Sequence, residues 1–300
     1  MAQAVPIKAQ NPAIAPTRNG SFSWAWIGVA PFFLFAVMFL IFPTGYLAIG
    51  GLQDPDGSFT LKHIGELFQP TILDAYWISI KISLVTAVGG AFFGFLLAYA
   101  AILGGLPRGI RTALLTFSGV ASNFAGVPLA FAFIATLGRL GLVTVVLVNL
   151  FGFNIYSTGF NILSFWGLSI TYMYFQFPLM VLILAPALDG LKREWREAAE
   201  NLGANSLQYW RLIALPILLP TIVGTTLLLF ANAFGAVATA YALTGSSLDI
   251  ITILLYAQIR GDVLHNPNLG YAMALGMIAI TGVSNGLYIW LRGRSERWLR

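Results

Sequence analysis

Apolar residues in this chain fall in long unbroken runs rather than at the alternating or helical spacing of a half-buried soluble element. A helix that crosses a bilayer needs about 20 apolar residues, because the hydrocarbon core is ~30 Å thick and a helix rises ~1.5 Å per residue. Six stretches meet that length: Trp24–Leu47, Tyr76–Leu103, Thr112–Leu137, Phe160–Ala187, Leu212–Ala238 and Leu269–Leu291. Gly141–Phe153 and Leu248–Ile259 are apolar but too short to cross. Segments of about 10–14 residues lie at an interface or re-enter instead, and both are placed at the outer face.

Basic residues orient the spans. With six crossings and the N-terminus inside, the inner segments hold Lys8, Arg18, Arg108, Arg111, Lys192, Arg193, Arg196, Arg211, Arg292, Arg294, Arg297 and Arg300. The outer side holds Lys62, Lys81, Arg139 and Arg260. Twelve against four is a positive-inside bias, and it collapses if Gly141–Phe153 also spans. Trp24, Trp26, Tyr209, Trp210, Tyr288 and Trp290 fall at inner ends, and Tyr46, Tyr76, Trp77, Tyr241 and Tyr271 at outer ends, as amphipathic rings at headgroup level should. The expected architecture is all-α and polytopic, with both termini cytoplasmic. Residues 1–23 form an inner tail rich in Ala, Pro, Asn and Gln, 24–291 the membrane domain and 292–300 a basic tail. The first span is too long for a cleaved signal segment and reads as an uncleaved helix.

Composition narrows the function classes. Only 9% of residues are charged and 58% are hydrophobic, whereas a soluble domain carries about 25% charged residues. The net charge of +5 is spread over loops, which marks topology rather than a nucleic-acid surface. With no cysteine, thiolate metal sites, disulfides and cysteine nucleophiles are excluded. His63 and His265 stand in predicted loops without evident acid partners, so they read as solvated residues rather than metal ligands. The spans show no clustered His, Asp, Glu or Ser–Lys constellation for a membrane-embedded enzyme.

The most informative stretch is the cytoplasmic loop before the fifth span, about residues 188–211. Glu194 to Leu202 consists mostly of helix formers with acids near the start, favourable to the helix dipole. Gly203 stands where a left-handed cap would end that helix. Ser206 is placed to cap a second short helix, and Pro216 and Pro220 fall early in the fifth span, where fewer backbone donors are needed. Ala198 and Ala199 predict a slim face that a partner could approach, with Glu197 as a charged contact. These residues alone leave two readings open: a docking elbow for a protein, or an interfacial connector that touches only lipid headgroups.

The pattern Glu197-Ala198-Ala199, Gly203, Ile213, Leu215-Pro216 resembles the signature of binding-protein-dependent ABC importer permeases, with no departure in identity or spacing. The six-span layout is similar to that family over nearly the whole chain. The resemblance implies a coupling helix that rests on a cytoplasmic ATPase dimer, with these seven residues carrying the role. It also implies a second permease subunit, usually a distinct sister, a periplasmic substrate-binding protein, and a bacterial inner-membrane location. The chain has no Walker A loop, so ATP and Mg would be bound by the partner and no cofactor by this chain.

Within the spans, Asn123, Gln176, Asn232 and Asn285 are candidate pathway groups or interhelical hydrogen-bond glue. Asn232 is favoured for the pathway, because its span follows the docking loop. Lys81 either snorkels to the outer headgroups or lines the outer pathway. Gly90 and Gly94 form a small-xxx-small pair suited to close packing. Pro128, Pro178 and Pro186 are placed to kink the third and fourth spans. The layout most resembles permeases of the polyamine, iron(III) and phosphonate-type importers. This resemblance implies a small solute, a polyamine such as spermidine or putrescine ahead of the others, although Lys81 leans towards an anion. A stand-alone secondary transporter or channel is the alternative, and it leaves the docking loop unexplained.

Overall fold

The computed structural model describes residues 25–260 and 266–296. Lys8, Arg18, Trp24, His265, Arg297, Arg300 and the 1–23 tail lie outside the described residues. The helices are α1 Ala25–Ala36, α2 Phe42–Gly50, α3 Lys62–Glu66, α4 Pro70–Leu103, α5 Arg108–Asn123, α6 Val127–Leu137, α7 Leu142–Phe151, α8 Phe165–Asp189, α9 Arg193–Asn201, α10 Ser206–Tyr209, α11 Leu215–Phe234, α12 Val237–Thr244, α13 Ile251–Arg260 and α14 Pro267–Glu296. Among the described residues six stretches are long and apolar enough to cross a membrane: Gly28–Gly50, Pro70–Leu103, Val127–Phe151, Phe165–Asp189, Ser206–Phe234 and Pro267–Leu291. A π turn at Val37–Ile41 joins α1 to α2. The unit ending at Tyr46 buries none of its span, and the rest of the chain from Leu47 is a second compact unit.

In that second unit α8 and α11 bury bulky apolar side chains such as Leu184, Leu188, Leu218 and Leu229, whereas α4 packs against them through a slimmer face. Apart from Ile72, Tyr76 and Ile82 towards its start, the buried stripe of α4 is small or hydroxylic, including Ala75, Ser79, Ser83, Ala87, Gly90, Gly94, Ala98 and Ala101. Its bulky Leu84, Val88, Phe92 and Leu96 are exposed, as expected where lipid is the solvent and close backbone approach drives helix association. The buried hydroxyls bond back to their own helix, Ser79 to the Ala75 carbonyl, Ser83 to that of Ser79 and Thr86 to that of Ile82, so no donor meets hydrocarbon unpaired there. A Cβ on Gly90 would lie 2.7 Å from Gln176 Cβ, and one on Gly94 would lie 2.5 Å from Met180 Cβ. Both glycines therefore belong to the α4–α8 contact, the static packing role open to such a pair.

Two expected spans are broken. Thr112–Leu137 is not one helix: α5 ends at Asn123, and α6 starts after Gly126, whose φ of 76° needs glycine. Leu114 and Leu115 pack beside Leu184 and Leu188 at one end of α8, and Leu129 and Ala130 beside Leu168 and Tyr172 at the other. The broken pair thus runs antiparallel along α8, with Arg111 bonded to Asp189 at the inner end. By length and composition alone Val127–Phe151 also counts as a crossing stretch, but α6 and α7 are separate helices broken over Gly138–Gly141. Residues 142–151 are therefore helical, and the Tyr156 hydroxyl ties the following turn back to the Leu137 carbonyl. The fifth span stops at Phe234, before the expected Ala238, and α12 restarts at Val237. The apolar 248–259 segment forms α13, whose Ile251 N–H donates to Ser79 Oγ on α4, so it is tucked among helices rather than lying on a surface. Pro128 sits in the first turn of α6, while Pro178 and Pro186 lie inside the unbroken α8.

His63 also departs from expectation. It is buried on the short helix α3, its Nδ1 3.0 Å from Glu66 Oε2. Its Nε2 lies 3.2 Å from Asp54 Oδ1 but out of line for a hydrogen bond. Acids nine residues before it and three after are brought together by a turn that spacing alone did not reveal.

Candidate functional site

The loop between α8 and α11 folds as a miniature core. Ala199, Tyr209 and Ala214 are buried together, with Leu191, Trp195, Ala204, Trp210 and Ile213 packed around them. α9 ends in a left-handed glycine, Gly203 at φ 81°. The Gly203 N–H donates to the Glu200 carbonyl and the Ala204 N–H to that of Ala199, both at 2.9 Å, a glycine-terminated cap that satisfies the last carbonyls of α9. The cap of α10 is Asn205, not Ser206: Asn205 Oδ1 accepts from the Gln208 N–H, and Gln208 Oε1 accepts from the Asn205 N–H, each at 2.8 Å. This reciprocal pair is a capping box one residue earlier than the expected cap.

The second docking helix is not separate from the fifth span. A π turn at Trp210–Ala214 carries α10 directly into α11, so Ser206–Phe234 is one continuous helix. The Leu215 N–H donates to the Trp210 carbonyl just before Pro216, which has no N–H to continue the α pattern. Trp210 packs edge-on against Tyr99, ring centres 5.2 Å apart, and fixes the elbow to the inner end of α4.

This geometry sorts the seven signature residues. Ala199 is buried, Ile213 is half-buried, and Gly203 makes the turn. Leu215 and Pro216 begin α11 on its exposed side. Glu197 and Ala198 face outwards, and Glu197 has no hydrogen-bond or ion-pair partner among the described residues. The expected slim face is therefore Ala198 alone, because Ala199 points inwards to Tyr209. Sequence reasoning missed Leu202 and Leu207, which flank the turn and are 88% and 75% exposed. Two leucines set among Asn201, Gly203, Ser206 and Gln208 were the available signal.

The pathway candidates divide as well. Asn123 is exposed in the last turn of α5, where its Nδ2 donates to the Gly119 carbonyl, and Asn232 is exposed in the last turn of α11. Both stand beside helix breaks that the fold ties together: the Gly126 N–H donates to Thr239 Oγ1 at 2.7 Å, and the Tyr172 hydroxyl donates to the Ala236 carbonyl. Gln176 is fully buried, its Nε2 bonded to the Leu229 carbonyl at 2.9 Å between α8 and α11. Lys81 is exposed, its Nζ 4.8 Å above the Trp77 ring, and Asn285 is half-buried. Among the described residues no group of three or more His, Cys, Asp or Glu could hold a metal ion.

Residues 116–300 match the family described as binding-protein-dependent transport system inner membrane component. The chain is 26% identical over 254 residues to a probable sulfate transport system permease protein cysT of Nephroselmis olivacea, covering 82% of each. It is 29% identical over 119 residues to the spermidine/putrescine transport system permease protein PotC of Haemophilus influenzae, covering 40% of this chain and 45% of that one. Its fold is similar to a chain of a bacterial ABC transporter involved in the import of the acidic polysaccharide alginate, with a TM-score of 0.68, 17% identity and coverage of 91% and 95%. It is also similar to a chain of a bacterial alginate ABC transporter in complex with an alginate pentasaccharide-bound periplasmic protein, with a TM-score of 0.66, 18% identity and coverage of 91% and 94%. The match spans more than half of the chain and contains the whole elbow, so the chain belongs to the inner-membrane components of binding-protein-dependent transport systems and is a permease subunit of an ABC importer, with no catalysis of its own.

Proposed function

We propose that this permease, in the bacterial inner membrane, moves a small oxyanion of the sulfate kind, driven by a separate cytoplasmic ATPase dimer that docks on the α9–α10 elbow. The carrying observation is the continuity of α10 with α11 through the π turn. A push on Glu197, Ala198, Leu202 and Leu207 passes through the Ala199–Tyr209–Ala214 core into the continuous helix from Ser206, which carries it to the break at Gly235. Asn232 stands on the last turn before that break, and the bonded α6–α12 pair would move with it. The pathway is proposed to pass Asn123 and Asn232. Gln176 serves as glue between helices and Lys81 as an outer headgroup anchor. A second permease subunit completes the pathway, and a periplasmic binding protein delivers the solute.

The choice of an oxyanion over the polyamine suggested by the layout rests on two points. The sulfate permease relative matches twice the share of the chain that the polyamine relative does. Asp74 and Asp189 lie near the ends of α4 and α8, so the acids in those spans are not at mid-membrane, where a polycation would need counter-charges.

The test is the transporter reconstituted with its ATPase and binding protein. Sulfate-loaded binding protein should stimulate ATP hydrolysis and [35S]sulfate uptake, and spermidine should do neither; stimulation by spermidine alone would reverse the substrate assignment. Gly203→Val, which forces a β-branched residue into a left-handed conformation at roughly 1–2 kcal/mol, should insert normally but lose coupled uptake. Normal uptake and ATP hydrolysis in that variant would refute the elbow.

A further inference from the structure

The geometry points to the outer hairpin at residues 51–68 as the seat of the binding protein, through Phe59, Leu61 and Phe68. This rests on the importer reading above and adds the surface that receives the partner.

The hairpin is rigid. Gln53 and Phe59 pair across it, and Gly57 turns it at φ 82°. Asp56 Oδ1 accepts from both the N–H and the hydroxyl of Ser58. His63 is wedged between Asp54 and Glu66. The hairpin is pinned to α14: Asn268 Nδ2 donates to the Gln53 carbonyl at 2.7 Å, and a Cβ on Gly51 would fall 2.9 Å from the Ala272 nitrogen.

On this frame Phe59, Leu61 and Phe68 are 73%, 61% and 70% exposed. Phe59 and Leu61 flank Thr60 on the returning arm of the hairpin, whose Thr60 N–H donates to the Leu52 carbonyl. Lipid could explain three exposed apolar side chains, but the height of the hairpin argues against it. At ~1.5 Å per residue, the 34 residues of α4 extend for about 51 Å, well beyond the ~30 Å hydrocarbon core. Trp77, with Lys81 over its ring, marks the outer headgroups, and Pro70 stands seven residues, roughly 10 Å, farther out. A second ruler agrees. The Tyr76 hydroxyl donates to the Met273 carbonyl, which sets those residues level, and Asn268 lies five residues, about 8 Å, outward of Met273.

The three side chains therefore face water on a preorganised support, which suits a protein partner because little ordering entropy is lost on docking. Asp54, Asp56 and Glu66 outnumber Lys62 on the hairpin. The partner surface is thus an apolar depression rimmed by basic side chains on a soluble binding protein.

The experiment uses the whole transporter in lipid nanodiscs, with ATP hydrolysis followed as purified binding protein is titrated. Phe59→Ser, Leu61→Ser and Phe68→Ser should each raise the half-maximal concentration at least tenfold and leave basal and maximal rates at the parent's values. A shift below twofold in all three overturns the proposal. A benzophenone amino acid at position 59, a conservative aromatic replacement, should cross-link to the binding protein; cross-linking to nanodisc lipid instead also overturns it. If the parent transporter shows no stimulated hydrolysis at all, the importer reading itself has failed, a result distinct from either outcome.

Discussion

Glycine does different work at different positions in this chain, and neighbouring atoms decide which. Gly203 is required for its backbone angle, since nothing lies within 4 Å of a Cβ there. Gly94 is required for space, since its Cβ would meet Met180 Cβ at 2.5 Å and the Phe177 carbonyl oxygen at 2.9 Å. Gly94→Leu should separate α4 from α8 and cost about 1–3 kcal/mol, the usual range for overpacking. Gly119→Leu, with open space around it, should be neutral. Thermal unfolding of the two variants in detergent tests the contrast, and equal melting temperatures would show that the α4–α8 crossing is looser than described. The small-xxx-small spacing was legible in the sequence, but the identity of the opposing residue was not, because α8 begins more than seventy residues later.

At the scale of elements, the elbow shows how local chemistry and packing divide the work. Helix formers, the left-handed glycine and the early prolines of α11 were all readable, because each acts within one turn of chain. The cap of α10 was placed one residue late. Ser206 and Asn205 are both good capping residues, and only the reciprocal bond with Gln208 selects Asn205. Asn205→Ala should destabilise the start of α10 by ~1 kcal/mol, read as faster hydrogen exchange of the Leu207 to Tyr209 amides, while Ser206→Ala should leave exchange unchanged. The inward turn of Ala199 was not readable either. Two adjacent alanines are equivalent in a sequence until Tyr209 packs against one of them.

For the whole molecule, every functional assignment depends on which side each loop occupies. The chain has no cysteine, so single substitutions report cleanly. Asp56→Cys should react with an impermeant maleimide added outside intact cells, and Glu197→Cys should react only after the membrane is opened. The reverse pattern would place the elbow outside and detach it from any ATPase. The Arg111–Asp189 pair agrees with the expected sidedness, joining the start of α5 to the end of α8 at the face assigned to the cytoplasm.

The sequence by itself determined the membrane class, the number of candidate spans and where along the chain the α9–α10 elbow lies. Each of these follows from hydrophobic run length, charge distribution or a motif within twenty residues, and such signals survive in one dimension. Tertiary structure decided where the helices break. Gly126 and Gly235 were unremarkable inside apolar runs, because a run of that composition is equally stable as one helix or as two. The bonds from Gly126 to Thr239 and from Tyr172 to Ala236 hold the broken form, and they join residues 113 and 64 positions apart. The same holds for the outer hairpin, where His63 meets Asp54 only when the chain turns back on itself. Contacts across such distances depend on the whole packing arrangement, which no local pattern encodes.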